Sequence, residues 1–252
     1  MKSYSLIDLL FTLYVFWYLI LFSNFFQCIF ENMKTLVVSA TYLELQPLLG
    51  KAEKVNQIDD KLNTYRLGSK EFDLLCTGVG MVATSFHLGR VLAYHKYDRV
   101  INAGIAGSFD KDIPLGSVVE VIEDQFPEMG AEDGANFLSM LDLELIEADE
   151  FPYQSGVLSN EQEIWNLTYP KVKSITVNKV HGSEERIAKT LERFKPQVES
   201  MEGAAFFYAC KIAKIPCLQI RAISNYVERR NKASWDISLA VQSLNTEIMK
   251  LI

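Results

Sequence analysis

The sequence predicts an α/β fold, a single domain in which helices flank a mostly parallel sheet. Three observations predict it. The chain has 252 residues, about half of them apolar, which suits one sizeable core. From Met33 onward, short β-like apolar runs alternate with stretches of helical periodicity. Two of those runs lead directly into glycine-containing segments, TGVGMVA at 77–83 and NAGIAGSF at 102–109.

Taken in order, residues 34–40 read as a buried strand and 41–49 as a helix that stops near Gly50. Residues 72–77 form a second buried strand, followed by Gly78, Gly80 and a helix through about Tyr94. Residues 99–103 are a strand running into a glycine-rich turn at Gly104 and Gly107. Further strands are expected at 117–122 and 172–177, and helices at 183–194 and 203–214. A strand at 216–223 leads to a final helix from about Ser234. The acidic, irregular stretch 124–154 is the expected excursion from the sheet. No repeat or linker divides the domain.

Composition narrows the partners. A net charge of −7 and no Lys/Arg cluster argue against a nucleic-acid backbone. Cys28, Cys76, Cys210 and Cys217 lie in apolar runs without metal-ligand spacing, as in a reduced, cytoplasmic protein, and no metal or other cofactor is expected. Residues 6–30 stand apart: Asp8 is their only charge, and their length would span a bilayer. Because Met33 opens MKTLVVSA, a natural first strand, residues 1–32 read either as upstream sequence translated from a wrong start or as a membrane anchor. Residues 33–252 are then the domain proper.

Several positions carry chemistry, each beside a plainer role. TGVGMVA matches G-x-G-x-x-A, but Asp98, the acid at the right distance for a dinucleotide ribose, precedes its strand and would point away. Close helix packing or close approach of a small ligand explains these glycines better. Ala106 and Gly107 could turn backbone amides toward a ribose or base. Glu44 forms a capping box with Thr41, yet sits where a general base would be placed. Glu202, at a helix start, could grip the two hydroxyls of a ribose, although the helix dipole alone would favour an acid there, as it would Glu199. Met201 could pack under the sugar or be core. Asn225, where a strand should emerge, is either a turn former or an amide that reads N7 and O6 of a 6-oxopurine. Arg229, Arg230 and Trp235 follow; surface charge is the plain reading, pairing with a ligand carboxylate the other.

In their order along the chain, MKTLVVSATYLE, GVGMVA, NAGIAGS, SMEGAA and RAISN resemble the nucleoside phosphorylase superfamily, specifically its methylthioadenosine/S-adenosylhomocysteine nucleosidases. The likeness covers 33–252. It implies a three-layer sandwich around a mixed, mostly parallel sheet, a small-molecule nucleoside substrate and a homo-oligomer. It makes Glu44 the acid that activates water and Glu202 the ribose ligand, with Asn225 and Ser224 at the base. Val180 and His181 would line the base pocket. The chain departs from that pattern at Asn225, where nucleosidases acting on adenine nucleosides carry Asp; an Asn agrees with a hypoxanthine base. The rivals are a purine nucleoside phosphorylase, for which Arg66 and Arg90 are candidate phosphate ligands, cleavage of methylthioadenosine, and a membrane-tethered nucleoside-binding protein without catalysis.

Overall fold

The computed structural model describes residues 33–134, 136–160, 165 and 167–252; the apolar segment 6–30 and Cys28 lie outside the described residues. The strands are β1 (Thr35–Ser39), β2 (Glu53–Gln57), β3 (Leu62–Leu67), β4 (Lys70–Cys76), β5 (Arg99–Ser108), β6 (Val118–Gln125), β7 (Gly130–Asp133), β8 (Asn136–Ser139), β9 (Leu158–Ser159), β10 (Lys171–Thr176), β11 (Val198–Ser200) and β12 (Cys217–Tyr226). The helices are α1 (Gln46–Leu49), α2 (Met81–Tyr94), α3 (Glu184–Phe194), α4 (Gly203–Ala213) and α5 (Ile237–Leu251), with 3-10 turns at Tyr42–Leu45 and Lys232–Ser234.

The main sheet runs β11-β10-β6-β12-β5-β1-β4-β3-β2, with β9 added on β6. Alternation along the central strands builds a core on each face. Leu36 and Val38 of β1 join α2 and α4 through Leu88, Val91, Phe206 and Phe207. Val37 faces the other way, where Leu218, Ile220 and Ala222 of β12 meet Ala240, Leu244 and Ile248 of α5. Helices therefore cover both faces, as the sequence predicts.

Three features depart from the sequence reading. Gly104 and Gly107 are not in a turn: β5 continues through Ser108, because β12 pairs with it in parallel over its whole upper half and β11 joins it antiparallel at Ser108 and Gly107. The pairing of β11 with β5 closes a ring through β10, β6 and β12, so one end of the sheet curls toward a barrel. Parallel pairing holds through β4-β1-β5-β12 and β6-β10-β11, but β12 and β6 are antiparallel, as is the β2–β3–β4 meander. Residues 72–77 of that meander are the buried strand read from the sequence, but β2 and β3 lie in a stretch left unassigned by periodicity; β2 is exposed along its whole length and carries no apolar alternation. Cys76, Cys210 and Cys217 are buried free thiols.

Candidate active site

Because β4, β1, β5 and β12 are parallel neighbours, their carboxyl ends open at one edge, the usual ligand edge of such a sheet. Each contributes. After β1, the Tyr42–Leu45 turn carries Glu44, which is buried. Its Oε2 accepts hydrogen bonds from Thr41 N (2.9 Å), Thr41 Oγ1 (3.0 Å) and Ser39 Oγ (3.2 Å). Its Oε1 accepts the Ile105 amide of β5 at 3.1 Å. The capping box is therefore real, and it saturates one oxygen only. Oε1 keeps a lone pair for a further donor.

After β4, Gly78 and Gly80 adopt φ of 92° and 97°, a region that favours glycine. The turn aims the Gly80 amide at Glu202 Oε1, 2.9 Å away. Glu202 is the residue before α4, yet its side chain makes no cap bond to its own helix. Burial raises its carboxyl above the ordinary value, while the Arg221 charge and the Gly80 amide pull it down.

Arg221 is the functional group that motif reading passed over. It lies on β12 facing the α4 side, is 1% exposed, and its Nη2 donates to nothing. Gly104 lies opposite it in the register. A Cβ there would sit 2.1 Å from Arg221 Nη1 and 3.0 Å from Glu44 Oε1, so a missing side chain lets guanidinium and carboxylate converge. The signal was present in sequence: Gln219 and Arg221 alternate with Leu218, Ile220 and Ala222 in a strand otherwise apolar, and an arginine is seldom buried without a task.

Behind Arg221 runs a buried chain of polar groups. Arg221 Nε donates to Gln219 Oε1 at 3.1 Å, and Gln219 Nε2 donates to Asp124 Oδ2 at 3.3 Å. Thr176 Oγ1 donates to Asp124 Oδ1 at 2.9 Å and accepts the Ala204 amide at 2.7 Å. Gly203 leaves room for this, since a Cβ there would fall 2.2 Å from both Asp124 Oδ2 and Gln219 Oε1. Burial pushes the Asp124 carboxyl up to about 6, against hydrogen bonds from Thr176 and Gln219 and the Arg221 charge.

At the end of β12 a bulge changes the register, pairing Ile223 with Ala106 and Asn225 with Gly107. Ser224 Oγ, 2.9 Å from Asn225 Oδ1, donates to it and so fixes the amide orientation; Asn225 Nδ2 donates to Tyr226 O at 3.1 Å. One N–H and one acceptor site of Asn225 remain available. Gly107 makes room for that amide, whose nitrogen would stand 3.2 Å from a Cβ there. Ala106 O lies 3.2 Å from the same Ser224 hydroxyl, an alternative acceptor for its single proton, and both Ala106 and Gly107 pair with β12 in the ladder.

Nearby, Glu199 lies on β11 rather than at a helix start. It accepts the His181 amide at 3.0 Å and pairs with His181 Nδ1 at 2.6 Å, while His181 Nε2 meets Thr190 Oγ1 at 3.0 Å. Both ring nitrogens of His181 are thus engaged within the protein. Val180 is exposed and Met201 half-buried beside Glu202. Arg66 is paired with Glu71 and Glu53, and Arg90 with Asp59, all at exposed positions away from Gly104. No cluster of metal-binding side chains occurs among the described residues.

The family model for the phosphorylase superfamily matches residues 34–251. The chain belongs to that superfamily. Among its relatives, a futalosine hydrolase of Streptomyces coelicolor is 30% identical over 71% of this chain and 78% of its own length. A futalosine hydrolase of Thermus thermophilus is 27% identical, over 72% and 81%. Among solved structures, a futalosine hydrolase of Helicobacter pylori aligns with a TM-score of 0.69 at 16% identity, covering 86% of this chain and 98% of that one. The superfamily fold thus extends over the whole described domain.

Two outcomes are expected from this geometry. Gly104→Ala should cost about 10²-fold in kcat/KM by displacing Arg221 and Glu44, with the far-UV circular dichroism spectrum retained. For Asp124, the folded-state pKa lies above the unfolded one, so its contribution to stability is present below about pH 4 and lost as pH rises through about 6. Asp124→Asn should therefore gain stability relative to the parent as pH rises across that window, by on the order of 2–3 kcal/mol at full effect, read from denaturant unfolding at each pH.

Proposed function

We propose that this protein is a futalosine hydrolase, which breaks the N-glycosidic bond of futalosine with water and releases hypoxanthine in the futalosine route to menaquinone. The observation that carries the hydrolytic part is the convergence of Glu44 and Arg221 about Gly104, with Glu202 in electrostatic reach of both. Two carboxylates around one guanidinium leave the pocket net negative. Such a pocket suits a sugar that becomes cationic and repels a phosphate dianion. The names of the relatives above support the substrate.

In this reading the reaction is dissociative. As the bond from C1′ to the base stretches, the sugar takes on oxocarbenium character and negative charge moves onto hypoxanthine. Asn225 Nδ2 donates to O6 of the departing base and Oδ1 accepts from N7 once solvent water has protonated that nitrogen, so that neutral hypoxanthine leaves, with Ser224 holding the amide in register. Glu202 accepts from the ribose hydroxyls while Gly80 fixes its other edge. Glu44 takes the proton of the attacking water at Oε1, and the unpartnered Arg221 Nη2 orients that water or the sugar hydroxyl beside it. Residues 33–252 form the catalytic unit.

No helix among the described residues is long and apolar enough to cross a membrane. We assign the enzyme to the cytoplasm and to a homo-oligomer. The exposed apolar positions of α2 and α4, Val82 at 79%, Phe86 at 62% and Ile212 at 50%, support self-association through that face.

The deciding assay follows release of the free base, hypoxanthine from futalosine and inosine and adenine from methylthioadenosine, with and without phosphate. Phosphate-independent release from futalosine is expected; dependence on phosphate would make the enzyme a phosphorylase, and efficient cleavage of methylthioadenosine would remove the argument from Asn225. Glu44→Gln should lower kcat about 10²- to 10⁴-fold while substrate binding persists in calorimetry. Asn225→Asp should move the ratio of kcat/KM for hypoxanthine over adenine nucleosides by about tenfold or more toward adenine.

A further inference from the structure

The loop that follows Asn225 contains a site that the chemistry at C1′ does not use. Between β12 and α5 the chain folds back so that the Asp236 amide donates to Ser224 O at 2.8 Å, and the Val227 amide to Ser108 O at 2.7 Å. These bonds moor the loop to the strand ends that carry the base reader. Gly182, next to His181, lies 3.8 Å by its would-be Cβ from Arg230 N and Glu228 O, so the loop also covers the Glu199–His181 pair.

Within it a cavity of about 450 Å³ is lined by Arg230, Lys232, Trp235 and Asp236. The Arg230 guanidinium stacks on the Trp235 ring at 4.9 Å. The acids of the loop are already engaged: Glu228 pairs with Lys111 at 3.7 Å and with the Ser234 hydroxyl at 3.5 Å, and Asp236 caps α5 through the Leu239 amide at 2.9 Å. Among the described residues, neither Arg230 nor Lys232 forms an ion pair. Two exposed cations without an ion pair among the described residues thus flank a half-buried indole.

We propose that this cavity is the subsite for the aromatic carboxylate of the substrate, with Arg230 and Lys232 binding the carboxylate and Trp235 the ring. The proposal rests on the futalosine reading, because futalosine carries a carboxyphenyl group at the far end of its sugar arm. A planar guanidinium matches a carboxylate edge to edge, and the indole it lies on fixes it and offers a face to the phenyl group. A simple purine nucleoside has no group for this cavity. The subsite therefore makes the enzyme selective at the end of the substrate remote from the bond that breaks.

The test compares the parent enzyme with Arg230→Gln, Arg230→Lys and Trp235→Phe on futalosine, its carboxyl methyl ester and inosine. Arg230→Gln should lower the ratio of kcat/KM for futalosine over inosine roughly 10- to 100-fold, mainly through KM, and should no longer separate acid from ester. Arg230→Lys should retain part of the preference. An unchanged ratio, or equal loss on all substrates, overturns the subsite. The second measurement is titration of the full chain with 3-acetylbenzoate, followed by calorimetry. If the parent fails to cleave futalosine, the function reading fails, and the subsite is judged by this titration alone. Binding by the parent that is lost in Arg230→Gln sustains it, and no binding by the parent overturns it.

Discussion

The site depends on one buried cation. Arg221 stands on a central strand, 1% exposed, on the face whose core holds Leu36, Val38, Phe206 and Phe207. A guanidinium in such a place is costly unless opposite charge and hydrogen-bond acceptors surround it. Gln219 and, through it, Asp124 supply one side; Glu44 and Glu202 supply the other through space. Two glycines, Gly104 and Gly203, withhold the side chains that would collide with this arrangement. The backbone of the site is thus shaped by what a single charged residue requires.

That view also explains the short segments around it. The 3-10 turn at Tyr42–Leu45 is capped by the same carboxylate that faces the pocket, so helix start and reactive group are one device. The Gly78–Gly80 turn ends on Glu202 rather than on a cofactor, which is why its glycine pattern mimics a dinucleotide motif without being one. In the proposed reaction stability and activity are coupled: Glu44 and Glu202, which satisfy the backbone amides of Thr41, Ile105 and Gly80, are also the groups assigned to the substrate.

Much of this was legible in the sequence. The alternation of buried runs with helical stretches located β1, β4, β10, α2, α3 and α4 closely, because each buries a face with a clear period. The β2–β3 hairpin was not, since β2 is exposed and polar and carries no such period, while β3 owes its place to pairing with β4. Gly104 and Gly107 suggested a turn on local grounds, but strand pairing on both sides overrode local preference. Glu44, Glu202 and Asn225 were visible as residue types at strand ends. Arg221 and Gln219 stood out only as polar residues in an apolar strand, and Asp124 not at all, because their partnership lies in contacts across 95 residues of sequence for the Gln219–Asp124 link.

The bulge at Ser224 has a separate consequence. Arg221 pairs with Gly104, and continued alternation would have set Asn225 opposite Ser108; the extra residue sets it opposite Gly107 instead. One strand thus carries two functions that are out of phase with each other. Asn225, the base reader of the proposed reaction, can change without disturbing the buried network around Arg221. In the proposed reaction, a scaffold wired in this way acquires new nucleobase preferences by single substitutions while Glu44, Glu202 and Arg221 stay in place.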